Sequence, residues 1–416
     1  MKKRYIVIIA IACVLLVAGL GFAGFSFYQV QMEKSKTITI GALLPLTGKL
    51  SSSAEDGKAG LQIALRDILK DLKDRGSNKT VKVLVQDTNL NAANALTKMR
   101  DFAKKNEVKF IIGPMSSDIV LSLNKYAVED GVVLISPTSS APGLSVPGDN
   151  LFRLVSDDIH QAQAVATLMK EDGINLVVPI SRGDVWGDEF RQAFIDKFEA
   201  LGGEVIEGVR YDVSNEDFTD ELDTLTGVVN LSSRKSGKGS VAVLVLAFDE
   251  VIKIFKTASN IRPLSQTKWY GSDAIALNKS LLADAEAAAF AEKVGLPCPV
   301  YASGENEISS RLQKEISDIL QREPSIAALT SYDALQLAVE ASIVSGFSKD
   351  INVLKTALFQ CADSFYGATG WCAFNAEGDR KIANYDFWAI ADGQWKRVAR
   401  FQSDDNFGNR LIRFAD

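Results

Sequence analysis

FIIGPMSS at residues 110–117 and VLISPTSS at residues 133–140 follow one pattern: a fully apolar run, a breaker (Gly113-Pro114 in the first, Pro137 in the second), then a pair of bare hydroxyls. A short, uninterrupted apolar run bounded by turn residues is what a strand covered on both faces requires. Between the two runs lies SDIVLSLNKYAVEDG, one helix long. Strand, helix, strand at this spacing is the unit of a parallel sheet with crossover helices.

Working outward, the same alternation continues in both directions. TITIGALLPL (37–46) reads as a strand, and GLQIALRDILKDL (60–72) places Leu61, Leu65, Ile68, Leu69 and Leu72 on one helical face; VKVLVQDTN and the helix AANALTKMRDFAKK follow. After LFRLVS (151–156) a second series begins, with helices QAQAVATLMKEDG, DEFRQAFIDKFEALGG, one around DFTDELDTL, and EVIKIFKTA. They alternate with strands NLVVPIS, EVIEGVRYD, VAVLVLAF and KWYGSDAI. Helices SSRLQKEISDILQ and YDALQLAVEASIVSG resume after Ala302, and two strands, GWCAFN and YDFWAIADG, end the chain. The fold expected is α/β, with two Rossmann-like doubly wound lobes. The Gly/Ser/Lys stretch SSRKSGKGS (232–240) reads as a solvated loop and lacks the spacing of a phosphate loop.

At 416 residues the chain is long enough for two lobes and an accessory segment. Its net charge is −6, but residues 1–36 carry +4, so the body carries −10, which argues against a nucleic-acid partner. MKKR precedes an uncharged run from Tyr5 to Tyr28, long enough to cross a hydrocarbon core of about 30 Å, with the basic flank on the cytoplasmic side. Length favours an uncleaved anchor. Gly21 and Ala23 offer a cleavage site as the alternative, while Cys13 has too much apolar chain behind it for a lipoprotein signal. From about Ser35 onward the chain is expected outside the cytoplasm: on the outer face of the cell membrane if anchored, periplasmic or secreted if cut. There a disulfide between Cys361 and Cys372 across SFYGATG is permitted; the other reading is that these two and Cys298 are small buried residues.

Much chemistry is excluded. The single histidine, His160, sits at a predicted helix start, so no Ser–His–Asp or Cys–His arrangement can be built without it, and a solvated residue is the expectation there. No HExxH or CxxC is present and no GxGxxG follows a strand, so neither a metal nor a cofactor is expected, and no motif points to an enzyme. What remains are the hydroxyls. Ligands of doubly wound sheets sit beyond the carboxyl ends of strands, at the starts of the following helices, where unpaired N–H groups favour an anion. Ser116-Ser117 and Thr138-Ser139-Ser140 both fall there and together suit a carboxylate. Ser and Thr are also the commonest helix caps, so capping is the competing account of them.

IGALLPLTG (40–48), GPMSS (113–117), ISPTSSAPGLS (135–145), YDALQLA (332–338) and TGWCAFNAEGDR…YDFWAIADGQW resemble, in this order, the solute-binding proteins for branched-chain amino acids that feed ABC transporters. The resemblance runs from about Thr37 to the C-terminus. It implies a type I periplasmic binding fold: two lobes joined by three crossover strands, closing on a ligand like a hinged clamp. The lobes would then be residues 37–155 plus 303–368 and residues 156–302 plus 369–416, behind a leader of 1–36. It further implies that Ser117 and Ser140 hold a ligand carboxylate, that the Thr138 carbonyl and the Asp273 carboxylate take the ammonium, and that Trp186 and Phe248 cover the ligand. Competing accounts are a turn role for Asp273 and core packing for the two aromatics. Family members with aliphatic ligands carry an aromatic just before the first helix; this chain has Ser51-Ser52-Ser53, which leaves the side-chain pocket open between aliphatic and more polar amino acids.

The leading expectation is therefore an extracytoplasmic solute-binding protein of an ABC transporter that captures an amino acid and delivers it to permease subunits. The alternatives are an amide or urea-type ligand, or a sensor subunit reporting occupancy.

Overall fold

The computed structural model describes residues 37–302, 306–403 and 409–414. The run Tyr5–Tyr28 and the whole of the expected leader lie outside these residues. Among the described residues no helix is long and apolar enough to cross a membrane.

Five strands make the first sheet: β1 (Thr37–Leu44), β2 (Thr80–Asp87), β3 (Phe110–Ile112), β4 (Val133–Ser136) and β5 (Leu151–Arg153). They run parallel in the order β2-β1-β3-β4-β5. The two quoted apolar runs are its inner strands, every residue of β3 and β4 buried. Helices α1 (Ser51–Asp74), α2 (Ala92–Lys105) and α3 (Ser117–Asp130) connect them. Gly113 ends β3 at φ +97°, and a Cβ there would stand 2.2 Å from the Leu43 carbonyl oxygen, so only glycine lets the chain turn so close to its neighbour.

The second lobe begins with α4 (Asp158–Glu171), followed by β6 (Leu176–Arg182), α5 (Val185–Ala200), β7 (Glu204–Val205), β8 (Val209–Tyr211), α6 (Thr219–Ser236), β9 (Val241–Leu246), α7 (Val251–Ser259) and β10 (Lys268–Tyr270). Its parallel sheet has the order β10-β9-β6, with β7 and β8 both on the far side of β6. The single strand expected at EVIEGVRYD is thus two. β7 faces Leu176 and Val177, and β8 faces Ile180 to Arg182; the break lies opposite Pro179, which has no N–H to offer a neighbour. The loop expected at 232–240 is, up to Ser236, the end of α6.

Helices α8 (Lys279–Ala283) and α9 (Ala285–Val294) lead to β11 (Cys298–Tyr301), and α10 (Glu307–Leu320), α11 (Ile326–Val344) and α12 (Ile351–Ser364) return to pack on the first lobe around α1. The chain then makes the hairpin β12 (Tyr366–Gly367) and β13 (Gly370–Trp371), and finishes in β14 (Tyr385–Ala391), β15 (Gln394–Gln402) and β16 (Arg410–Arg413). The last three join β11 in an antiparallel sheet of order β11-β14-β15-β16. So GWCAFN is a strand only at Gly370–Trp371, because Cys372 and Phe374 turn into the core, Phe374 against Phe152 and Phe359. Cys298, Cys361 and Cys372 are all free and buried.

Where the chain passes between the lobes, polar side chains knit the connections. The Arg380 guanidinium donates to Thr369 Oγ1 (2.7 Å), the Thr369 carbonyl (2.8 Å) and the Leu154 carbonyl (3.4 Å), and lies over the Tyr301 ring. Asp333 accepts from the Ala368 and Thr369 amides and from Thr369 Oγ1. Fully buried Arg153 pairs with Asp379 (Nη2 to Oδ2 2.8 Å) and also donates to the Ala141 carbonyl (2.9 Å).

Candidate functional site

The carboxyl ends of both parallel sheets face one interlobe cleft of about 490 Å³. Ser117, Thr138, Ser140, Trp186, Phe248 and Asp273 all line it, together with Leu50, Ser53, Met115, Ser116, Ala274 and the start of α11 at Ser325–Ala327. The lobes touch around it. The Gly143 amide donates to Glu189 (2.6 Å), the Val185 amide to Asp118 (3.2 Å) and the Asp249 amide to the Lys49 carbonyl (3.1 Å), and Lys279 pairs with Glu55 (2.7 Å).

On the first-lobe wall the hydroxyls have separate tasks. Ser136 Oγ donates to the Pro114 carbonyl (2.6 Å) and Thr138 Oγ1 to the Met115 carbonyl (3.1 Å), stitching the second loop to the first. Ser140 Oγ donates to Asp158 (2.9 Å). Ser117 Oγ instead accepts, from the Ser140 and Ala141 amides (3.3 and 3.2 Å), which leaves its own proton available to the cleft. The capping account does not describe this wall. Ser116 stands at the N-cap of α3 without a side-chain cap bond, and Ser117 is already inside the helix, whose first backbone bond runs from Val120 to Ser116. The amides ahead of that bond carry the positive end of the helix dipole.

The opposite wall is negative. Asp273, just beyond β10, is partly buried, and its Oδ1 is shut off from solvent without a hydrogen-bond partner. Burial pushes its carboxyl up to about 6, against the hydrogen bonds that Gln161 and the local backbone supply. Asp158 lies behind Ser140 at the start of α4, fully buried; burial first, and the charge of Asp273 second, raise its carboxyl well above the usual range. Gln161 ties the two, its Nε2 donating to Asp158 (2.8 Å) and its Oε1 accepting from the Asp273 amide (3.1 Å). Neither acid has a salt-bridge partner among the described residues. Asp158 and Gln161 escaped sequence reading because SDDIHQAQ shows only a helix start: Asp157 is the cap, accepting from Ile159, and nothing local distinguishes the acid that turns inward. His160 is exposed beside them, bound to Asp157 (2.9 Å).

Trp186 and Phe248 form the lid side, their rings 5.1 Å apart and each about 5% exposed. Arg182 stacks on the Phe248 ring, 3.9 Å from its centre, and pairs with Asp184 and Glu250, so the ring rests on an ion-paired guanidinium. No group of three or more metal-ligating side chains occurs among the described residues.

A hydroxyl wall and a carboxylate wall facing each other between two doubly wound lobes is the layout of a solute receptor. Residues 37–394 match the family model described as periplasmic binding protein. The chain belongs to the periplasmic binding protein family. It is 28% identical over 389 residues to an uncharacterized protein of Methanocaldococcus jannaschii, covering 89% of this chain and 91% of that one. It is 30% identical over 157 residues to a Leu/Ile/Val-binding protein of Rhizobium johnstonii, covering 36% and 38%. In fold it is similar to the leucine-binding protein LivK of Thermotoga maritima, with TM-score 0.74 and 21% identity over 88% of this chain and 99% of the other. A solute-binding protein from R. palustris solved with benzoate superposes with TM-score 0.72 and 18% identity over 91% and 98%. The periplasmic binding proteins are solute receptors of transporters rather than enzymes, and their place is outside the cytoplasm.

Proposed function

We propose that this chain is the extracytoplasmic receptor of an ABC transporter, capturing a free amino acid in the interlobe cleft and presenting it to permease subunits, with Tyr5–Tyr28 holding it at the membrane. One observation carries the reading: a carboxylate with a buried, unpaired oxygen, Asp273, across the cleft from the start of α3 and the unspent proton of Ser117. An α-amino acid supplies what each wall lacks. Its carboxylate takes the Ser117 proton and the α3 amides, with Ser140 nearby, and its ammonium neutralises Asp273 and donates to the Thr138 carbonyl. Burying that carboxylate without a cation is costly, and the ligand removes the cost. Trp186 and Phe248 close over the result. The Leu/Ile/Val-binding relative supports an amino acid.

A benzoate-bound structural neighbour favours a second reading, in which the ligand has an acid group but no amine. Thermal-shift titration with free amino acids and with benzoate separates them. At about 100 times the dissociation constant an amino acid should add about 2.7 kcal/mol to stability. Asp273→Asn should weaken an amino acid by about 2 kcal/mol through loss of the charge-assisted contact, and should leave benzoate unharmed or better bound. If no free amino acid raises the melting temperature, the amino-acid reading is wrong.

A further inference from the structure

Beyond the zwitterion site the cleft continues. A second, narrow cavity shares Leu50, Ser53, Ala274 and Ser325 with the cleft and runs on between the first turn of α1 and the segment Ala276–Asn278. Its far lining is polar: Ser52, Asp56, Asp249 and Asn278. Two of these groups are already satisfied. Asp56 is paired with Arg322 and accepts from the Ser325 amide (2.8 Å), and Asn278 caps α8 through its carbonyl oxygen while giving its amide to Asp249 Oδ1 (2.6 Å). Two others are not. Ser325 stands at the N-cap of α11, where a serine ordinarily bonds to the helix; it makes no cap bond, and its buried Oγ has no partner. Asp249 Oδ2 receives no hydrogen bond from any described residue, and no cation pairs with this carboxylate.

We infer that the ligand's side chain reaches this second cavity and ends in a hydrogen-bond donor, a hydroxyl, carboxamide or amine, rather than in the branched hydrocarbon of leucine, isoleucine or valine. The inference rests on the amino-acid reading of the cleft and adds the side chain to it. A lone pair on Ser325 and an oxygen of Asp249 both accept, and no basic side chain lines the cavity, so a donor completes it where a methyl group would leave the buried Ser325 hydroxyl without a partner. Asp249 is half-buried, and burial raises its carboxyl above the ordinary value, ahead of the opposing hydrogen bond from Asn278. The hydroxyl run Ser51-Ser52-Ser53 has its place here too: it is the first turn of α1, and Ser52 and Ser53 face the cavity where aliphatic-ligand receptors would need an apolar wall.

Calorimetric titration of the intact extracytoplasmic chain with serine, threonine, asparagine, glutamine and ornithine, against leucine, isoleucine and valine, tests this. At least one donor-bearing amino acid should bind tenfold or more tightly than leucine. In Ser325→Ala and Asp249→Asn, each checked for an unchanged melting temperature without ligand, the ratio of that affinity to leucine's should fall threefold to tenfold. Leucine, isoleucine or valine ranking first in the wild-type protein overturns the inference while leaving the amino-acid reading standing, and so does an equal loss for all ligands in both variants. If no amino acid binds at all, the underlying reading falls and the inference falls with it. The wild-type ranking decides the matter even if a variant fails to fold.

Discussion

Two regions of this molecule bury carboxylates, and they treat them oppositely. At the crossing between the lobes, Asp379 faces the Arg153 guanidinium and Ser145, and Asp333 accepts three hydrogen bonds from Ala368 and Thr369. At the cleft, Asp273 keeps an empty oxygen and meets no cation, and its charge disfavours that of the neighbouring Asp158. Completed polar burial holds the fold in place; the open oxygen of Asp273 is, on the function proposed above, completed by a ligand. The motifs that carry the family resemblance divide along the same line. YDALQLA and AEGDR supply Asp333, Asp379 and Arg380 to the crossing, whereas GPMSS and SPTSS supply the cleft.

The sharpest way to break this contrast is to open the completed pair. Asp379→Ala leaves Arg153 charged and buried with no carboxylate, which should cost about 3–5 kcal/mol in chemical denaturation. Because Arg153 also holds the Ala141 carbonyl, binding should weaken as well. A loss below about 1 kcal/mol would show that the crossing does not depend on the pair.

Acidity probes the other side. In the free protein the Asp273 carboxyl holds its proton up to about pH 6, whereas the unfolded chain releases it near 3.8. Between those values the folded state binds more protons, so this residue makes the free protein less stable as pH rises through the window, by up to about 3 kcal/mol in total. Asp158, raised in the same direction, adds to that slope. Ligand affinity runs the other way: an ammonium needs the ionised carboxylate, so affinity should fall about tenfold per pH unit below 6. Denaturation and binding curves from pH 4.5 to 7.5, in wild type and in Asp273→Asn, isolate the effect, since the variant should lose the stability component that belongs to this residue. Identical slopes in the two proteins would remove Asp273 from the account.

How much of this was legible follows from where the information sits along the chain. A strand, a breaker and a hydroxyl pair are contiguous, and in a parallel sheet contiguity alone places the pair at the carboxyl end; Ser117, Thr138 and Ser140 therefore reach the cleft from local pattern, whereas Asp273, which lines it too, is legible only through the family resemblance. Trp186, in the first turn of the helix after β6, is likewise legible only through the resemblance. Tertiary placement hid the rest. Asp158 looks like its neighbour Asp157 until α4 packs and turns one inward. Ser325 arrives from a segment far along the chain, and β11 contains Pro299, which discourages a strand reading although an edge strand tolerates it. Sequence shows the oxygens of the paired hydroxyls but not where their protons go.

The assignment of protons yields the smallest effect and the finest test of the contrast. Thr138 and Ser140 spend theirs on the Met115 carbonyl and on Asp158, so within this wall they behave like the crossing, already satisfied. Ser117 accepts two amides and still has a proton to give. Ser117→Ala should therefore lower ligand affinity by about 1 kcal/mol, roughly fivefold, the usual worth of one hydrogen bond, with a similar loss of stability from the two orphaned amides. Thr138→Val, which keeps the shape and removes the hydroxyl, should cost stability with less than about 0.5 kcal/mol of affinity, because the loop stitch is lost but no ligand contact is. Titration calorimetry on the two variants compares them directly. Equal affinity losses would mean that the hydroxyls rearrange when ligand enters, and that the free cleft does not already hold the proton pattern that grips the carboxylate.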